Sequence, residues 1–354
     1  MSKLNRIQLK GFKSILNIDL ELQHLNLLIG PNGAGKSNFI DFFRFMNQLG
    51  QKDLQFFLAL KGGSERFLHF GRQITEAIEI ALLFELNRYI CTLVPDQTEK
   101  LIFQQEYCQR LTEASHKLAS RGNKESGLPE KLIEPANQIA GYLSDWQIYH
   151  FHDTSETAKV KQSGQLHDNE RLRPQAENLA AFLFSIEDTA QYHQIVQTIQ
   201  RVAPFFQNFI LKPEKTDPNR IRLRWKQRGT NAYFDAHAFS DGTLRFICLT
   251  TLLLQPHLPT MILLDEPELG LHPYAMQLLA GMMRSVANRS QIIASSQSVT
   301  LANQFEWSNL IIVEQVDNAS QFKRLTEEKV KVWLEDYRIG DLWEKNLIGG
   351  TPPC

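Results

Sequence analysis

Apolar positions along the chain follow two periods, and the switches between them mark out the elements. Leu4, Ile7 and Leu9 alternate with polar residues, and Ile15, Ile18, Leu20 and Leu22 resume the pattern beyond Gly11-Phe12-Lys13-Ser14. Two strands joined by a turn are predicted. The run Leu27-Leu28-Ile29 then predicts a strand that breaks into glycines, and Phe39, Ile40, Phe42, Phe43 and Met46 mark the buried face of a helix behind it. Residues 67–84 contain short strand-like segments, notably 78–84, and 89–94 read as another, with antiparallel pairing expected.

From 97 to about 145 the chain turns charged and amphipathic, interrupted by Gly122-Asn123-Lys124-Glu125-Ser126-Gly127. The expectation is an inserted helical region of two short helices, since a coiled-coil arm needs many unbroken heptads. A strand is predicted over 146–151, a polar loop over 156–174, and helices over 174–185 and 192–202, the second stopped by Pro204. Residues 186–220 are expected to elaborate a helical lobe. No internal repeat or low-complexity tract interrupts the chain.

Composition narrows the function classes. Among 354 residues, 38 basic and 39 acidic side chains leave a net charge of −1, so no global field draws the protein to nucleic acid or an anionic membrane. No apolar run reaches the roughly 18 residues a membrane span needs. Cys91, Cys108, Cys248 and Cys354 form no C-x-x-C pair and read as buried or idle thiols of a reducing compartment. His150, His152 and His167 lack ligand spacing and are assigned no metal. A cytoplasmic protein is expected.

Chemistry enters at Gly30-Pro31-Asn32-Gly33-Ala34-Gly35-Lys36-Ser37, which fits G-x-x-x-x-G-K-[ST]. Glycines let successive backbone N–H groups turn toward phosphate oxygens, and the following helix points its positive end at the same place. Lys36 is the candidate for the β- and γ-phosphates of ATP, and Ser37 for Mg²⁺. About 230 residues on, Met261-Ile262-Leu263-Leu264-Asp265-Glu266 is a continuous apolar run ending in two acids, as in a buried parallel strand. Asp265 is placed to hold Mg²⁺ through water, and Glu266 to polarise the water that attacks the γ-phosphate. Between them, Ser240-Asp241-Gly242-Thr243 opens an apolar helix. A serine cap with an acidic first turn accounts for it, and so does an anion site. Gln297, after the strand 291–296, can hydrogen-bond a phosphate oxygen but carries no charge.

In that order, these motifs and Leu263-Leu264-Asp265-Glu266-Pro267-Glu268-Leu269-Gly270-Leu271-His272-Pro273 resemble the RecF/SMC-type branch of the ABC ATPases. The closer resemblance is to compact bacterial ATPases related to the OLD family and to ATPase subunits of anti-phage systems. No acidic Toprim-like cluster follows Ser298, so the nuclease half of an OLD-type protein is missing from the pattern. The implied fold is α/β: one P-loop NTPase head of ABC type over 1–354, with a mixed central sheet, an antiparallel subdomain and a helical lobe carrying Ser240.

The resemblance also implies roles. Asn32 to Asn38, with Gly33, Ala34, Gly35, Lys36 and Ser37, would bind nucleotide, and Lys13 would approach its phosphate. Ser240, Asp241, Gly242 and Thr243 would form the signature that touches the γ-phosphate of a second copy, so that two heads sandwich two ATP molecules. Glu268 to His272 would form the D-loop, and His152 with Asp153 the Q-loop position. Gln297 stands where many relatives have histidine, which implies slow hydrolysis coupled to a partner. That partner would be a separately encoded nuclease or toxin effector, or DNA or RNA. The expected function is ATP-driven dimerisation in anti-phage defence or DNA maintenance; the alternative is an ATP-gated scaffold with negligible turnover. Arg220, Arg222, Arg224, Lys226 and Arg228 alternate with Ile221, Leu223 and Trp225, reading either as a nucleic-acid track or as a solvated edge strand. Lys159, Lys161, Arg171 and Arg173 form a looser cluster.

Overall fold

The computed structural model describes residues 3–130 and 133–350. Its elements begin with β1 (Leu4–Phe12), β2 (Ile15–Glu21), β3 (Leu25–Ile29), α1 (Lys36–Gly50), α2 (Leu54–Leu60), β4 (Ile78–Phe84), β5 (Asn87–Pro95), β6 (Leu101–Arg110), β7 (His116–Ala119), α3 (Glu134–Asp145) and β8 (Trp146–Tyr149). There follow β9 (Gly164–Gln165), α4 (Leu179–Ser185), α5 (Ala190–Val202), β10 (Phe206–Phe209), β11 (Arg220–Ile221), β12 (Arg224–Gln227), β13 (Tyr233–Asp235) and α6 (Asp241–Leu254). Last come β14 (Met261–Asp265), α7 (Pro273–Val286), β15 (Gln291–Ser296), α8 (Val299–Ala302), β16 (Leu310–Val316), β17 (Ala319–Arg324), α9 (Glu327–Val330) and α10 (Ile339–Glu344).

Two compact units are formed. The first takes the described residues up to Ile148, Pro259–Leu263 and the described residues from Ser290 on; the second takes Tyr149–Leu258 and Leu264–Arg289.

In the first unit, an antiparallel sheet runs in the order β2-β1-β4-β5-β6-β7. Ile7 pairs with Leu20 and Leu9 with Ile18, so the alternation of each strand turns the same apolar set inward. A mixed sheet runs β17-β16-β3-β15-β14-β8. β3 lies parallel to both β15 and β16, and every residue of β3 is buried, as expected for a strand covered on both faces. α1 supplies the core beside it: Phe39, Phe42, Phe43, Phe45 and Met46 are fully buried, with Phe42 edge-on to Phe12 at 5.7 Å. Each such side chain contributes about 1.5–3 kcal/mol through its removal from water.

The predicted helical insertion at 97–145 is corrected. Its first half is β6 and β7, and among its described residues only α3 is a helix of any length. Two features hide β6 from a periodicity argument. Gln104 is an extra residue, since Thr92 pairs with Gln105 but Leu93 with Phe103, and the inward phase shifts across it. Beyond it the inward residue is Glu106, fully buried, which accepts hydrogen bonds from Tyr89 OH at 2.8 Å, Ser126 Oγ at 2.5 Å and Gly127 N at 2.8 Å. Burial pushes its carboxyl above the usual glutamate value.

In the second unit, α6 packs against α5 and α7. β10-β12-β13 form a small sheet whose Trp225 stacks on Phe239 at 4.6 Å and on Phe234 at 5.1 Å. Of the helical lobe expected over 186–220, α5 forms, and beyond Pro204 the chain goes into β10 instead, because Phe206 and Phe209 bury against that aromatic cluster. β12 corrects the edge-strand reading as well: it is the middle strand of three, paired to β10 and β13.

Candidate nucleotide site

The glycine-rich stretch forms the connection from β3 to α1 that its spacing predicts. Gly33 and Gly35 take φ of 78° and 109°, which a side chain would strain, and Gly35 is the residue that caps α1. The first N–H groups of the helix have no partners within it. Lys36 is only 5% exposed, and its Nζ donates to Gly30 O at 2.6 Å and Pro31 O at 2.9 Å. The cation thus sits inside the loop it would serve. Ser37 is exposed in the first turn of α1. Asn38 Nδ2 donates to Ser14 Oγ at 2.8 Å.

A cavity of about 720 Å³ opens beside the loop, lined by Gly30, Pro31, Asn32 and Ala34. Gln297, exposed after β15, shares the lining with Glu314 and Trp343. Lys13 stands at φ 47° in the β1–β2 turn, and its ammonium is paired with Asp41 of α1 at 2.6 Å, 5.4 Å from the Phe67 ring. Sequence reasoning missed Ser320. Its Oγ donates to Ser14 Oγ at 2.7 Å, and a Cβ built on Gly35 would lie 1.9 Å from it, so a residue of β17 fits the glycine of the loop. No local motif signals such a partner.

The second unit carries the remaining candidates. Ser240 caps α6, its Oγ accepting from Thr243 N at 3.3 Å and lying 2.9 Å from Thr243 Oγ1. Asp241 is exposed. Gly242 meets the turn after β14 closely: a Cβ there would lie 2.3 Å from Gly270 O. Asp265 ends β14, its carboxylate 4.0 Å from His150 Nδ1 and its carbonyl 2.7 Å from His152 Nε2. Glu266 follows at φ 44°, left-handed for a residue with a side chain, a conformation that costs on the order of 1–3 kcal/mol. His272 caps α7 through Nδ1, which accepts from Tyr274 N at 3.2 Å. Asp153 is turned to Ser155, whose hydroxyl and amide hold its carboxyl below the usual aspartate value. Arg245, also unforeseen, donates to Phe151 O, His152 O and Leu269 O.

The predicted cation row does not lie on one strand. Arg220 belongs to β11 and donates to Ser163 O at 2.6 Å; Arg222 lies 3.8 Å from Glu214; Arg224 and Lys226 belong to β12. In the looser cluster, Lys161 is buried and Arg173 pairs with Asp168 at 2.9 Å. Cys91, Cys108 and Cys248 are buried, and desolvation pushes Cys108 up to about 11 and Cys248 to about 12, so neither is a thiolate near neutrality. Cys354 lies outside the described residues. Among the described residues no helix is long and apolar enough to cross a membrane.

Comparisons with known proteins agree on the type of fold. The family model AAA_21, described as "AAA domain, putative AbiEii toxin, Type IV TA system", matches residues 25–303. The structure of an SmcHead bound to the C-winged helix domain of ScpA aligns with a TM-score of 0.62 at 16% identity, over 93% of this chain and 99% of that one. An Smc head domain with an extended coiled coil, bound to the C-terminal domain of ScpA from Pyrococcus furiosus, aligns with a TM-score of 0.56 at 14% identity, over 95% and 99%. No curated protein matches the chain in sequence. The fold is the mixed α/β fold of an SMC-head P-loop ATPase.

Proposed function

This chain is a member of the AAA_21 ATPase family, and on that premise we propose that it hydrolyses ATP slowly and that ATP joins two copies of it head to head. The observation that carries the reading is the loop between β3 and α1: left-handed glycines, a lysine folded into the loop, and an open cavity of about 720 Å³ alongside. Lys36 would move from the carbonyls of Gly30 and Pro31 to the β- and γ-phosphates, a stronger partner for an ammonium. Gln297, lining the same cavity, would donate to the γ-phosphate.

The donors assigned to Mg²⁺ fit that ion. The Ser37 hydroxyl would ligate it directly and the Asp265 carboxylate through water; both are hard oxygen donors, few in number, which would leave the remaining positions to water and phosphate. Held there, the ion would supply positive charge to the phosphate oxygens. Glu266 would orient and polarise the attacking water. Ser240 to Thr243, with the N-terminus of α6, would close on the γ-phosphate of the partner copy, and Glu268 to His272 would meet the partner alongside.

The finer placement, among OLD-related ATPases, belongs to the same proposal. The family description speaks of a type IV toxin–antitoxin system, and one structural relative was solved with a winged-helix domain of another protein. A separately encoded effector bound to the ATP-joined pair would be the output.

Light scattering on Glu266→Gln tests the reading. That change keeps the shape of the side chain but removes the carboxylate, so ATP should double the mass and ADP should not. A distance probe across the two copies guards against a constitutive oligomer through another surface. Equal mass and distance with ATP and ADP would sink the dimer, and absent phosphate release by the wild type would sink the enzyme.

A further inference from the structure

We propose that Arg245 is a positioning residue of the ATPase cycle proposed above, on which this inference rests: it ties the N-terminus of α6 to the segment that carries Asp265 and Glu266. The geometry lies within the second unit. From the second turn of α6, Arg245 Nε donates to Phe151 O at 3.1 Å, Nη2 to His152 O at 2.8 Å, and Nη1 to Leu269 O at 2.9 Å. One planar guanidinium thereby fixes two consecutive carbonyls on one side and a third on the other. A lysine, with a single ammonium, cannot span that set.

The contacts bracket Glu266. Ahead of it, the Asp265 carbonyl is 2.7 Å from Nε2 of His152, whose own carbonyl Arg245 holds. After it, Leu269 N donates to Glu266 O at 3.3 Å while Leu269 O accepts from Arg245. Glu266 itself stands at φ 44°. A left-handed glutamate persists only where its neighbours over-determine it, and Arg245 supplies one fixed point directly and another through His152. The same side chain stands five residues after Ser240, and Gly242 lies against Gly270 too closely to admit a Cβ. Movement of the α6 N-terminus onto a γ-phosphate is therefore passed to the backbone on both sides of Glu266.

Such a residue governs the chemical step and leaves ATP affinity, which belongs to the glycine loop, in place. The test compares wild type, Arg245→Lys, Arg245→Met and Glu266→Gln by phosphate release, by equilibrium binding of a fluorescent ATP analogue, and by thermal unfolding. Both Arg245 variants should keep the dissociation constant for ATP and KM within about threefold of wild type. Their kcat should fall by roughly 10- to 100-fold, as misplacement of a catalytic group by up to about 1 Å does. Lysine should fail to restore the rate although it retains the charge. Wild-type kcat in Arg245→Lys, or loss of rate matched by loss of ATP affinity, overturns the proposal. Should Arg245→Met not fold, the lysine variant alone decides. Equal turnover by wild type and Glu266→Gln overturns the ATPase reading, and this inference with it. Turnover that Glu266→Gln abolishes and both Arg245 variants keep overturns this inference alone.

Discussion

A methyl group on Gly35 would lie 1.9 Å from Ser320 Oγ and 2.8 Å from Ser14 Oγ, at a residue whose φ is 109°. Two penalties therefore meet in one substitution, backbone strain of on the order of 1–3 kcal/mol and an overpacked contact of similar size. Rotation of the Ser320 hydroxyl does not relieve the clash, because Ser320 Cβ would also lie 2.8 Å away. Gly35→Ala should lower the melting temperature by several degrees and weaken ATP binding at least tenfold, since the loop must open to admit the methyl. Calorimetric titration with ATP, beside a thermal scan, checks it. An unchanged affinity would show that the loop's concavity does not depend on that glycine.

Among the elements, β5, β6 and the loop after β7 meet at Glu106, which no local pattern announces. Tyr89 comes from β5, and Ser126 and Gly127 come from the loop; all three donate to one carboxylate. Burial raises its folded-state value above that of an unfolded glutamate. The folded protein then holds the proton more tightly than the unfolded chain, so this group's contribution to stability is full below the ordinary glutamate value and is lost as pH rises through the raised one. Glu106→Gln removes the titration and keeps an acceptor for the hydroxyls. Urea unfolding of both proteins from pH 4 to pH 8 should show the wild type losing stability relative to the variant as pH rises. Parallel profiles would mean that the carboxyl titrates alike in both states.

At the scale of the whole molecule the prediction concerns assembly. Ser240 is a helix cap by its hydrogen bonds, and replacing a cap costs typically about 1 kcal/mol. The proposed function asks more of it, because the hydroxyl and the N-terminus of α6 would face a partner's γ-phosphate. Ser240→Arg, introduced into Glu266→Gln, should leave ATP affinity within about threefold, because Lys36 and its loop are untouched. It should also abolish the ATP-dependent doubling of mass seen by light scattering. Persistence of the doubled mass would return Ser240 to the role of a cap alone.

The sequence determined what local physics can encode. Alternation set β1, β2, β4 and β5; an apolar run set β3 and β14; and glycine spacing placed a phosphate-shaped loop ahead of a phenylalanine-faced helix. In each case the signal lies within about a dozen residues, since backbone freedom and burial period are properties of neighbours. Tertiary structure decided what depends on partners far apart in the chain. Ser320 meets Ser14 across 306 residues, and Arg245 reaches Phe151 across 94. β12 became a middle strand because β10 and β13 arrive on either side, and β6 formed in spite of an inward acid because Tyr89, Ser126 and Gly127 satisfy it. A buried acid or a surplus strand residue reads locally as polar sequence; only the donors and neighbours brought to it by the fold turn it into core.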